Sequence, residues 1–205
     1  MNEQFKTTLY KMCGQIYIPY DLKNSKKHKI LHISDTPYNI YAPLNRLIKA
    51  LKPDVIVHTG DMVDDIKLEI CPYKIDVYKK SVRRLIRILE NSGAQSIYIV
   101  PGNHDDGKYI KKEAPSFNII AEGTLISIGD MSFCLSHDGC NIIDGAMYNL
   151  YGHSKNIRTT KAGGSYYLNG IEHIHVLLYP DEEVYYLPYP IGTNDARFNR
   201  CKISI

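Results

Sequence analysis

The chain has no cysteine pair at C-x-x-C spacing, no apolar run long enough to cross a bilayer and almost no net charge. Each absence closes off a class of protein. Five cysteines, Cys13, Cys71, Cys134, Cys140 and Cys201, are odd in number and show no C-x-x-C spacing that would suggest a redox pair or zinc ribbon, which leads us to expect free thiols in a reducing compartment. The first residues, MNEQFKTTLYKMCG, lack the uninterrupted apolar stretch of a secretory signal, so cytoplasm is the expected location and no membrane partner is expected. With 25 basic against 22 acidic residues, the balance of +3 is too even to make nucleic acid or an anionic membrane the main partner. The local basic group Lys23, Lys26, Lys27, His28 and Lys29 reads as a solvated segment.

Nothing along the 205 residues repeats or loosens into a linker, so the expectation is one domain spanning 1–205, with residues 1–28 as an N-terminal arm. Hydrophobic residues make up 44%, enough to fill one sizeable core. Short apolar runs alternate with longer amphipathic ones in the first half. KILHIS (29–34), DVIVHT (54–59) and SIYIV (96–100) read as strands, and 40–51 and 74–91 as helices, the second with Val77, Val82, Leu85, Ile86 and Leu89 near helical spacing. That alternation argues for crossover units and a largely parallel sheet. From Phe117 onward FNIIAEG, TLISIGD and MSFCLSH look like short strands between turns, predicting a mainly antiparallel second half. Asn169-Gly170 is read as a two-residue hairpin turn joining SYYL to IEHIHVLLY, and Pro180-Asp181 as a further turn.

The polar residues of interest fall just after these strands, where ligands sit in open α/β sheets. They are Ser34-Asp35, Gly60-Asp61 with Asp64, Gly102-Asn103-His104-Asp105, Ser136-His137-Asp138-Gly139 and Gly152-His153-Ser154-Lys155. Carboxylates gathered this densely repel one another unless a counter-ion joins them. A divalent cation resolves the conflict. Mixed Asp, Asn and His ligands suit manganese, iron or zinc better than calcium, and the lack of a neighbouring cysteine argues against a structural zinc site.

In that order these loops resemble the calcineurin-like metallophosphoesterases, whose pattern of D-x-H, G-D-x-x-D, G-N-H-[DE], a lone His and G-H-x-H matches residues 35 to 155. The resemblance implies an α/β sandwich of two mixed β-sheets flanked by helices, with the metal site at the C-terminal rim of the strands. It also implies two metals sharing Asp61. One takes Asp61, Asn103, His137 and His153, all present here. The other takes Asp35 and two histidines, whose places are filled by Pro37 and Lys155. The departures fall on one position, so one tight ion is expected, Mn²⁺ for preference with Fe, Zn or Mg compatible, and a second site is doubtful. A hydrated hard cation beside Asp35 and Asp61, the Lys155 ammonium in its place, or Lys155 as an ordinary loop lysine are the alternatives.

The implied chemistry is metal-assisted hydrolysis of a phosphomonoester or phosphodiester. His104 matches the catalytic histidine, Asp64 would orient it, and Asn103 and Lys155 would meet the substrate, a phosphorylated small molecule or nucleotide-type compound. Asp65 stands where the family's protein phosphatases carry arginine, which disfavours that branch. The rival reading is a non-catalytic scaffold or pseudoenzyme on the same fold, against which the retained His104 argues. His32 and His58 read as core residues; His173 and His175 share a strand face and the tyrosines near the end cover the sheet.

Overall fold

The computed structural model describes residues 2–198. Helices α1 (Glu3–Met12) and α2 (Tyr20–Asn24) precede strand β1 (His28–Ile33), which is buried at every position after the first. A 3-10 turn from Tyr38 to Ile40 leads into α3 (Tyr41–Leu51), which ends where Lys52 turns left-handed at φ 51° before Pro53. Next come β2 (Val55–His58), α4 (Ile75–Glu90), β3 (Ser96–Ile99) and α5 (Gly107–Glu113). Strands β4 (Asn118–Ile119), β5 (Thr124–Ile128), β6 (Met131–Asp138), β7 (Tyr148–Gly152), β8 (Thr160–Ala162) and β9 (Ser165–Asn169) follow. The described residues close with β10 (Ile174–Tyr179), β11 (Glu183–Leu187) and α6 (Thr193–Phe198).

Two sheets form. One has the order β11-β10-β1-β2-β3-β4, the other β5-β6-β7-β9-β8. Alternation along β1 sorts its side chains into two cores. Leu31 and Ile33 face α3 and α4, meeting Leu44, Leu47, Val82 and Leu85, whereas Ile30 faces the second sheet with Val57, Phe133 and Leu150. A strand apolar on both faces must be covered on both, which is why β1 to β3 pair in parallel at the centre. Each fully buried Leu or Ile here contributes about 1.5–3 kcal/mol. On α4 the buried stripe is Tyr78, Val82, Leu85, Ile86 and Leu89; Val77 is 57% exposed, and Tyr78 takes the inward place expected for it.

Three expectations are corrected. Asn169-Gly170 is not a hairpin turn, because β9 and β10 lie in different sheets. The Asn169 carboxamide instead donates to the Ser154 and Ile157 carbonyls at 2.6 and 2.7 Å and accepts from the Ile171 amide, fastening the loop that follows His153. The second half is mixed rather than mainly antiparallel, since β6, β7 and β9 pair in parallel through crossovers too irregular to show in an apolar pattern. Cys71 is disulfide-bonded rather than a free thiol. Cys13, Cys134 and Cys140 are free, and Cys201 lies outside the described residues. Among the described residues no helix is long and apolar enough to cross a membrane.

Candidate metal centre

The expected loops meet at one rim. Asp35 follows β1, Asp61 and Asp64 follow β2, Asn103 and His104 follow β3, His137 ends β6 and His153 follows β7. Backbone geometry marks the spot. Asp35, Asp61 and His153 hold φ of 49°, 53° and 51°, a left-handed conformation that L residues adopt only where the surroundings enforce it. Glycine supplies the clearance between the loops. A Cβ on Gly60 would collide with the His137 ring, one on Gly102 with the Asp61 carboxylate, and one on Gly152 with Ser34 and Asp35. The glycines of all three motifs are therefore required by side-chain packing, not merely by turns.

The His137 ring is held by a second contact. The His137 Nδ1 lies 2.7 Å from the Thr59 carbonyl oxygen, so the ring proton sits on Nδ1 and donates to it. That leaves the Nε2 lone pair facing inward, 3.1 Å from Asn103 Oδ1 and 3.6 Å from Asp61 Oδ1. Two oxygens and an imidazole nitrogen converge, an arrangement that a shared cation turns from repulsion into coordination. His153 completes the group, its ring centroid 4.8 Å from that of His137. Asp61, His137 and His153 each offer an atom within 4.8 Å of the others. The donor set of carboxylate, carboxamide and imidazoles fits a borderline divalent ion.

A second group of Asp35, Asp61 and Asp64 meets the same spacing and is buried throughout. Burial, then the neighbouring Asp35, Asp105 and Asp64, pushes the Asp61 carboxyl well above the usual carboxylate range. Asp64 is pushed up to about 7 by burial and by Asp35, against the pull of Lys67. Asp35 accepts from Ser34 Oγ at 2.5 Å and from the His153 amide at 3.1 Å, which ties the first loop to the last.

The other expected residues divide. His104 donates its amide to Asp61 Oδ1 at 3.1 Å, and its ring, beside the Asn103 carboxamide and 3.6 Å from Glu69, is pressed down to about 4 by burial and by Lys67. It borders the same cavity of about 460 Å³ as Asp35, Asp61, Asp64 and His153. Asp64 makes an ion pair with Lys67, and it is Asn103 and Glu69 that lie beside the His104 ring. Lys155 reaches the cavity wall with its ammonium 3.9 Å over the Phe198 ring. Pro37 is buried at the start of the 3-10 turn and has no ligand atom to offer.

The sequence reading placed Asp105 at the rim without a role and missed Lys67 and Arg197. Asp105 accepts from the Gly102 amide at 2.9 Å, the Met62 amide at 3.0 Å and the Tyr78 hydroxyl at 3.0 Å, bracing the second and third loops together. Its place as the last residue of G-N-H-D was the available signal. Lys67 and the buried Arg197, which donates to the Ser34, Asp35 and Ile171 carbonyls, lie outside every motif and gave none.

The family model for calcineurin-like phosphoesterases matches residues 28–187. Comparison with curated proteins found no match. Among solved structures, one described as a novel archaeal phosphodiesterase superposes with TM-score 0.51 at 19% identity, covering 77% of this chain and 97% of its own. Yfce, a phosphoesterase from E. coli, gives 0.50 at 13% identity over 78% and 98%. TT1561 of Thermus thermophilus gives 0.50 at 11% over 80% and 99%. At such identities these likenesses speak for the fold alone. The matched segment runs from the first strand through β11 and holds every loop of the centre, so the chain belongs to the calcineurin-like phosphoesterase family, a family of phosphoester hydrolases.

Proposed function

We propose that the chain hydrolyses phosphate esters of small or nucleotide-type substrates with one tightly held divalent ion, Mn²⁺ for preference, bound by Asp61, Asn103, His137 and His153. The observation that carries this reading is the unshared Nε2 lone pair of His137, fixed by the Thr59 carbonyl and aimed at Asn103 and Asp61 oxygens. A divalent ion held there would polarise a phosphoryl oxygen and acidify a water. The protein's own part is positional. Asp105 and Thr59 lock the loops, the Ser34–Asp35–His153 link closes the far side, and His104 at the cavity wall meets the leaving oxygen with a proton or hydrogen bond. A cavity of about 460 Å³ is in the range of small-ligand pockets.

Hydrolysis of p-nitrophenyl and bis-p-nitrophenyl phosphate with added Mn²⁺ tests the reading. We expect His104→Ala to lose about a hundredfold or more in rate on the better substrate. Equal rates in variant and wild type would instead favour a binding module.

A further inference from the structure

In the pattern this chain resembles, a second ion would lie against Asp35 and Asp61, completed by two imidazoles. Neither is here. Pro37 has no donor, and the Lys155 ammonium lies over the Phe198 ring. Yet the carboxylates remain, with Asp35, Asp61 and Asp64 at most 2% exposed and presenting oxygens within 4.8 Å of one another. Three buried carboxylates at that spacing stay ionised only beside positive charge.

Two side chains bring it to the trio, and both act on the Asp64 carboxylate. Lys67 pairs with Asp64 through a side chain only 13% exposed, and it borders the cavity beside His104. Arg197, 2% exposed in α6, donates Nε to the Asp35 carbonyl at 2.6 Å, and its two terminal nitrogens to the Ile171 and Ser34 carbonyls at 2.8 and 3.0 Å, with its guanidinium 3.9 Å over the Tyr189 ring. Those contacts fix the strand tip that presents Asp35. Together the two side chains carry the formal charge of one divalent ion. We propose that Lys67 and Arg197 stand in for the second metal, leaving one exchangeable ion per chain.

The inference rests on the reading that Asp61, Asn103, His137 and His153 hold the first ion, and it makes a statement about ion number rather than rate. The test is titration of chelator-stripped protein with Mn²⁺, counting bound atoms and recording the electron paramagnetic resonance spectrum. Wild type should bind one ion with an uncoupled spectrum. Lys67→Met, which frees the carboxylate trio without opening the Arg197 cluster, should rise to two, with a spectrum showing exchange coupling. Lys67→Arg should stay at one. Two ions in wild type, or one ion in both wild type and Lys67→Met, overturn the proposal. An ion-free wild type removes the metal reading and this proposal with it, whereas one bound ion without hydrolysis supports the proposal and sinks only the enzymatic reading.

Discussion

Buried histidines set the chemistry of individual residues away from the rim. His32 and His175 stack with ring centroids 5.2 Å apart, His32 Nε2 meets Thr59 Oγ1 at 2.9 Å, and both side chains are fully buried. Burial presses His32 down to about 3 and His175 well below the ordinary imidazole value. The unfolded chain protonates these rings near pH 6.5 while the native state refuses the proton. The stability they confer is therefore full above pH 6.5 and is lost as pH falls below it, for His32 down to about 3, at up to about 1.4 kcal/mol per pH unit for each ring. Urea unfolding of wild type and His175→Phe at pH 7 and pH 5 measures this. The raised Asp61 and Asp64 contribute with the opposite sign, but equally in both proteins. The variant should lose stability less steeply on acidification, and parallel slopes would contradict the assignment.

Between elements, the loop after β2 and the loop after β3 are joined by one carboxylate. Asp105 satisfies two backbone amides and the Tyr78 hydroxyl of α4, so it links both ligand-bearing loops to the long helix. Asp105→Ala leaves those donors buried and unpaired at about 1–3 kcal/mol each. Because Gly102 and Asp61 are then free to separate, Mn²⁺ affinity should drop about 10–100-fold. Urea unfolding and calorimetric titration read the two effects, and a variant unchanged in both would mean that the bracket is incidental. The long strands and helices were readable because burial imposes a period. β1, β2, β3, α3 and α4 each appear within about two residues of their expected bounds. The β9 to β10 connection was not readable, because Asn169-Gly170 has hairpin chemistry but serves a crossing between sheets, and only tertiary pairing decides between the two.

At the scale of the whole molecule, the fold gathers five loops from two sheets at one rim, and sequence motifs foretold the loops better than their internal contacts. Asp61, Asn103, His137 and His153 lie close together, the four that the family resemblance pointed to. Lys67 and Arg197 could not have been singled out, since their proximity to Asp64 and Asp35 depends on a loop conformation and on a helix far along the chain from the last motif. What holds the account together is a cation at the meeting point of those four ligands. Calorimetric titration of chelator-stripped protein with Mn²⁺, beside His137→Ala, tests it most directly. Wild type should show one tight binding event, weakened about a hundredfold or more in the variant, because an imidazole held in place by the Thr59 carbonyl has been removed. Identical isotherms for the two proteins would contradict the account.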